Sequence, residues 1–228
     1  MTKMKKIAVF MILAGLCFYS GCGIFAVLGT ETSSEKKIQA EYDLTTVENK
    51  SKKILVLVNQ PAWLSAGANL SYYVTEAMNM SLAGKVKVAA GNLVEYKELS
   101  EYRSSKPNFV LLSPVQVGIA FDADIVLLVT IETYMLTPIE ETGYYKGSLN
   151  ANAVLLATAD GDKLWPDSQV NKSVKVGFEI GEKDRELCVK RLADSLAHCT
   201  TRYLYNCKKD KFKIMDEKFD VVWEEWGN

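Results

Sequence analysis

One histidine, five cysteines and no surplus of either charge in 228 residues remove several classes of chemistry at the outset. A histidine-based triad would have to use His198, which has no nucleophile pattern around it, so a solvated or half-packed imidazole is the expected state. No CxxC spacing is present, and a structural zinc site has nothing to build on. No glycine-rich phosphate loop occurs. The 27 lysines and arginines stand against 28 aspartates and glutamates, which leaves no basic excess for a nucleic-acid backbone. "DGD" at residues 160–162 lacks the acidic ligands that would follow in a calcium loop and reads as a hairpin turn. "FDAD" sets Asp122 and Asp124 two apart, a spacing that a helix-to-strand corner explains better than a working carboxylate pair. No cofactor, metal or catalytic residue is expected.

Acidic residues are also missing from one end, where the first is Glu31. Ahead of it come Lys3, Lys5 and Lys6, then the apolar run "IAVFMILAGLCFYS", then Ser20 and Gly21 directly before Cys22. That order is a secretory signal layout. "YSGC" resembles the lipobox of bacterial lipoproteins at its last three places, with Tyr19 where an aliphatic residue is usual. The resemblance implies that residues 1–21 are removed, Cys17 with them, and that Cys22 becomes a lipidated amino terminus. Gly23 in place of aspartate resembles lipoproteins sent on to the outer membrane. An uncleaved anchor is the competing reading, because residues 7–30 carry no charge and could cross a hydrocarbon core of about 30 Å. Gly15, Gly21, Gly23 and Gly29 make that span a poor helix. A third reading keeps Cys22 as an inert thiol. The first two readings both put the rest of the chain outside the cytoplasm. Loss of the three lysines leaves 24 basic residues (27 less 3) against 28 acidic, a charge of -4.

After the lipidated terminus, the polar stretch to residue 51 reads as a tether. A folded domain is expected over 52–207 and a tail over 208–228. "KILVLV" opens the domain as a continuous apolar run and is expected to be a central strand buried on both faces. Leu70, Tyr73, Val74, Ala77, Met78 and Ser81 recur at helical spacing, with Gly84 as the expected stop. "KVKVAA" alternates like a short strand. "NLVEYKELSEYR" suggests a second helix capped by Asn92, with Leu93, Tyr96 and Leu99 inward. "SPVQ" combines a cap at Ser113, a first-turn proline at Pro114 and Gln116 placed to reach back. Residues 125–136, "IVLLVTIETYML", form the longest β-rich run. A strand to Thr158, a turn at Asp160 and Gly161, and a return through Leu164 and Trp165 make a hairpin. "KSVKVGFEI" is a last strand. The closing helix carries Cys188 and Cys199 on one face with Leu192, Leu196 and Tyr203, about 16 Å apart along the axis. They cannot bridge each other. Both read as small core residues, and a Cys199–Cys207 bridge stays open if the helix ends between them.

This order of elements predicts an α/β (α+β) domain with a mixed sheet of about four to six strands and helices packed on it. "KILVLV", the strand after "FDAD", "VLLATADGDKLWP" and the closing helix together resemble a group of bacterial lipoprotein domains over residues 52–206. That group includes the curli secretion lipoprotein, the penicillin-binding-protein activator lipoprotein and the amino-terminal domain of TolB. The resemblance implies a non-catalytic module that binds other envelope proteins or self-associates, held to the membrane, expected to be the outer one, by lipid on Cys22. Fold analogy alone does not fix function. A subunit of an oligomeric secretion pore is the alternative, and an envelope enzyme the least favoured reading. Two aromatic features suit partner binding. Trp63 stands in the loop after the first strand. Trp223 and Trp226 stand in the tail among charges, where they either fold back on the domain or dock onto a partner.

Overall fold

The computed structural model describes residues 37–64 and 68–208, which exclude Cys22, Trp223 and Trp226. Its frame is a mixed five-stranded sheet. Strand β2 (Ile54–Asn59) pairs in parallel with β3 (Ile125–Pro138), from Ile54 opposite Ile125 to Asn59 opposite Thr130. β3 pairs antiparallel with β4 (Tyr145–Ala157), with one irregularity in register between Ile131 and Thr133. On its other side β4 takes β6 (Lys172–Phe178) along Gly147 to Ala153, and the short β5 (Lys163–Trp165) at Leu155 and Leu156. β1 (Lys37–Ile38) and β7 (Cys207–Lys208) form a separate two-stranded sheet. The α+β class and mixed sheet expected from the sequence are therefore present.

β2 is the terminal strand of the sheet order and not a central one. A continuous apolar run reports that both faces are covered, and here helices cover both. Ile54, Val56 and Val58 belong to the larger core cluster with Leu70, Val74 and Met78 of α2 (Leu70–Ser81), which lies on β2, while α5 (Arg185–Thr201) packs against α2, β4 and β6 and adds Leu192 and Leu196 to the same cluster. Leu55 and Leu57 face the other way, into a smaller cluster. There they meet Leu99 of α3 (Tyr96–Ser105) and Val117 of α4 (Pro114–Ala120). Only the start of the sheet is sandwiched in this way. Farther on, Thr130, Thr133, Asn150, Asn152, Ser173 and Lys175 lie on the uncovered face, exposed or half-buried.

Local chemistry explains most of the helix boundaries. Asn69 caps α2 by accepting from the Tyr72 N–H at 3.1 Å. Ser113 and Gln116 form the reciprocal capping box expected of "SPVQ", with bonds of 2.8 and 3.2 Å. Gly118 lets α4 approach the sheet, because a Cβ there would fall 2.5 Å from the Thr158 methyl and 2.6 Å from Val126. Asp184 caps α5 through the Glu186 N–H at 2.8 Å.

Four local expectations are corrected. α2 does not stop at Gly84 but widens into a π turn over Leu82–Val86, and the left-handed cap is Lys87 at φ 68°. "KVKVAA" is therefore no strand, although Val86 and Val88 are both buried. The pairing falls instead to Leu93, which bridges Ile54. α3 begins after Glu95, while Asn92 spends its side chain on the Lys50 and Ser51 carbonyls at 3.4 and 3.2 Å. His198 is buried at 8% exposure, hydrogen-bonded through Nδ1 to the Lys85 ammonium. It is closed off because the π turn that prolongs α2 carries Lys85 to the end of α5.

Residues 37–51, which fall within the expected tether, lie on the domain. Helix α1 (Val47–Lys50) follows Leu44, which is fully buried. Glu41 accepts from Trp165 Nε1 and pairs with Lys172, each at 2.7 Å. Cys188, Cys199 and Cys207 are buried thiols. Burial pushes the Cys188 thiol above its ordinary range.

Val56 sits at the middle of β2 and is fully buried in the cluster that α2 and α5 share. Replacing it with aspartate should cost several kcal/mol out of a total of about 5–15 kcal/mol, enough to abolish the cooperative transition in urea. Aspartate at Val47, which is 94% exposed, should leave that transition within about 0.5 kcal/mol of wild type.

Candidate functional site

The carboxy-terminal end of β2 opens onto a loop and a crevice. Beyond Asn59 the chain turns through Gln60 and Pro61 into a single 3-10 turn, Ala62–Leu64. Gln60 holds this loop. Its amide donates to the Leu64 and Ala68 carbonyls at 3.3 and 2.9 Å, and its Oε1 accepts from the Ser71 N–H at 3.0 Å. One side chain thus ties both ends of the loop to the first turn of α2. Tyr72 stacks edge-on with Tyr73 and Tyr96 at 5.1 and 5.2 Å and steadies the same corner. On that frame Trp63 stands 70% exposed. An indole left in water on a well-braced loop is a ready interface anchor.

Beside the loop lies a crevice of about 540 Å³ between β2, the end of α3 and the start of α4. Its floor is apolar, formed by Leu57, Val58, Leu128 and Val117. Its far wall is the segment between α3 and α4, where Phe109 and Leu112 turn inward and pack on the smaller cluster. Val110 and Leu111, between those two, are 87% and 78% exposed. The 3-10 turn Phe109–Leu111 forces this split, since successive side chains leave such a turn about 120° apart.

The ionisable groups lining the crevice are both cations, Arg103 and Lys106. Arg103 lies over the Phe109 ring at 4.9 Å and gives one long bond, 3.5 Å, to the Val58 carbonyl. Its Nε is buried with no hydrogen-bond partner among the described residues. Lys106 reaches over the Tyr102 ring at 5.7 Å, and Tyr102 packs edge-on against Phe121 at 5.2 Å. The site therefore offers an apolar trough, two cations and a braced aromatic. Among the described residues the lining includes no carboxylate, imidazole or thiol.

The carboxylates weighed in the sequence lie at turns and do structural work. Asp124 accepts from the Lys53 N–H at 2.7 Å, at the opposite end of β2 from the crevice. Asp160 accepts from the Asp162 N–H at 2.9 Å and closes the β4–β5 turn, with Gly161 at φ 81°. Of the aromatic candidates Trp63 is placed beside the crevice through Gln60, while Trp223, Trp226 and the lipidation candidate Cys22 lie outside the described residues. Arg103, Lys106, Val110 and Leu111 were missed in the sequence. The available signal was "RSSKPNFVLL", two cations followed by an apolar run after a proline.

Changing Gln60 to alanine removes four bonds, to the Leu64 and Ala68 carbonyls and from the Ser71 N–H and hydroxyl. The expected loss is about 1–3 kcal/mol, accompanied by faster amide exchange at Leu64 and Ser71 than at Val56. Unchanged exchange at those two amides would show that the loop is held otherwise.

No family model matches the chain, and no curated protein matches it in sequence. Among solved structures it is similar to the lipoprotein GNA1162 from Neisseria meningitidis, at 18% identity, covering 60% of this chain and 90% of that one, with a TM-score of 0.38. It is similar to the PelC dodecamer from Paraburkholderia phytofirmans, at 13% identity over 75% of this chain and 94% of that one, TM-score 0.37. The LpoB C-terminal domain from Salmonella enterica is a further neighbour, at 17% identity over 56% of this chain and 82% of that one, TM-score 0.33.

Proposed function

We propose that the chain is a lipid-anchored protein of the cell envelope whose folded domain binds another envelope protein and performs no catalysis. The observation that carries the binding role is the crevice. Exposed Val110 and Leu111 and the Trp63 loop flank an apolar trough whose charged groups are Arg103 and Lys106. Apolar residues so exposed mark interaction sites when they cluster around a groove. The anchor rests on the order of lysines, apolar run, Ser20, Gly21 and Cys22. Several acyl chains, each contributing about 0.8 kcal/mol per buried CH₂, suffice to hold such a domain at a membrane.

The pore alternative needs long strands with an apolar outward face. β3 and β4, at 14 and 13 residues, have the length. Their outward positions along the free half are Thr133, Thr137, Lys146, Ser148 and Asn150, with Met135 the apolar exception. That face suits water or a polar partner, which favours the binding module.

Two measurements test the two halves separately. Intact mass of the membrane-extracted protein should show loss of residues 1–21 and added acyl chains, and Cys22→Ser should leave an uncleaved precursor outside the detergent phase. A wild-type mass with residues 1–21 attached and no acyl chain refutes the lipoprotein reading. For the binding role, Val110→Arg with Leu111→Arg should leave thermal stability unchanged, since both side chains already face water, while reducing recovery of its envelope partners after crosslinking by about tenfold. Equal recovery would move the interface elsewhere.

A further inference from the structure

The crevice also points to its own occupant. β2 is an outer strand of the sheet, so one row of its backbone groups faces away from β3. At its start that row is satisfied, the Ile54 carbonyl accepting from the Val94 N–H at 3.1 Å. Toward the crevice the cover gives out, and among the described residues the Val58 carbonyl takes a side-chain bond from Arg103 alone, a long one at 3.5 Å. An arginine with five donors and one long bond keeps capacity for a carboxylate. The site thus asks for an extended segment with apolar residues for the trough and acidic residues for Arg103 and Lys106.

The chain holds such a segment. Residues 215–226 read "MDEKFDVVWEEW", five acids against Lys218 alone. Phe219, Val221 and Trp223 alternate with Asp220, Val222 and Glu224, the period-two pattern of an extended strand with one apolar face. Reach is adequate. β7 ends at Lys208 beside the carboxy-terminal ends of α2 and α5, where Lys85 lies within electrostatic reach of Cys207. The crevice adjoins the opposite end of α2, about 18 Å away along that helix. The eleven residues from Lys208 to Phe219 span about 36 Å when extended.

We infer that residues 215–226 dock along the free edge of β2 in the crevice of their own chain, with Glu225, on the same face as Phe219, Val221 and Trp223, toward Arg103 and Lys106. This rests on reading the crevice as a protein-docking surface and names its resident ligand. An external partner then has to displace the tail, which makes the tail a competitor built into the same polypeptide.

A photoreactive benzophenone side chain in place of Trp223, in the full-length membrane-bound protein, tests this directly. The expected product is an adduct within one chain, joining position 223 to the peptide that spans residues 107–112. Lys106→Glu should lower its yield about fivefold, and adding Glu225→Lys should restore it. Lys106 is exposed, so its charge reversal does not threaten the fold. An adduct elsewhere in the chain, a dimer-sized adduct, no adduct, or a yield indifferent to Lys106→Glu overturns the inference. An adduct with a different polypeptide also overturns it, while leaving the envelope-binding reading standing.

Discussion

A strand with five consecutive buried residues, 54–58, cannot be left with one face in water, and the rest of the domain is arranged to meet that demand. Covering the Ile54–Val56–Val58 face requires α2, with α5 packed against it. Covering the Leu55–Leu57 face requires α3 and α4. Each covering layer must then be anchored to the sheet. α4 is seated through Gly118, where nothing larger than hydrogen fits against Thr158 and Val126. α2 is tied to α5 by the Ser81–Thr201 hydroxyl pair at 2.6 Å. The crevice is a by-product of the same requirement. α3 and α4 are too short to cover β2 to its end, so the last residues of the strand stay open beside the turn that joins the two helices.

The opposite margin of the domain closes by a different device. Trp165, the largest fully buried side chain, needs a partner for its indole N–H and finds one in Glu41. The same carboxylate pairs with Lys172, whose ammonium lies 3.9 Å from the centre of the Tyr203 ring. Three stretches distant in sequence meet there, around Glu41, from Trp165 to Lys172, and at Tyr203. A lone buried indole N–H would be costly, and that cost explains why a polar stretch such as residues 37–51 is drawn onto the domain. Composition alone reads that stretch as tether because its single strong core residue, Leu44, has no periodic neighbours.

Legibility followed the range of the interaction. Signals that act within a few residues were readable, among them the Ser113–Gln116 capping box, the Asp160–Gly161 turn and the alternation of β6. Signals that depend on a distant segment were not. Gly84 is a good helix stop, yet the chain passes it as a π turn because Leu82 and Val86 have a core to enter. His198 falls outside the apolar stripe of α5 and reads as half-solvated, yet Lys85 closes over it from another element. The exposure of Trp63 was legible because an indole in a polar loop is anomalous in itself. The setting of Arg103 and Lys106 was not, because a cation at the end of a helix is ordinary until its aromatic neighbours Phe109 and Tyr102 are brought to it.

The division of the sheet into a covered half and an open half separates two kinds of surface. The open half presents Thr130, Thr133, Asn150, Asn152 and Ser173, short polar side chains whose hydrogen bonds exchange with water at small net gain. Binding there would have to replace a good solvent with an equally good partner. The end of the covered half is different, because Val110, Leu111 and Trp63 are already in an unfavourable solvent and gain from any apolar contact. Arg103, half-buried over Phe109, would discriminate more strongly between acidic and basic partners than a fully hydrated cation, and the exposed Lys106 adds charge of the same sign. Apolar surface supplies the drive and the two cations supply the sign. Their coincidence at the end of β2, and not on the polar face, is the ground on which that end is proposed as the docking surface.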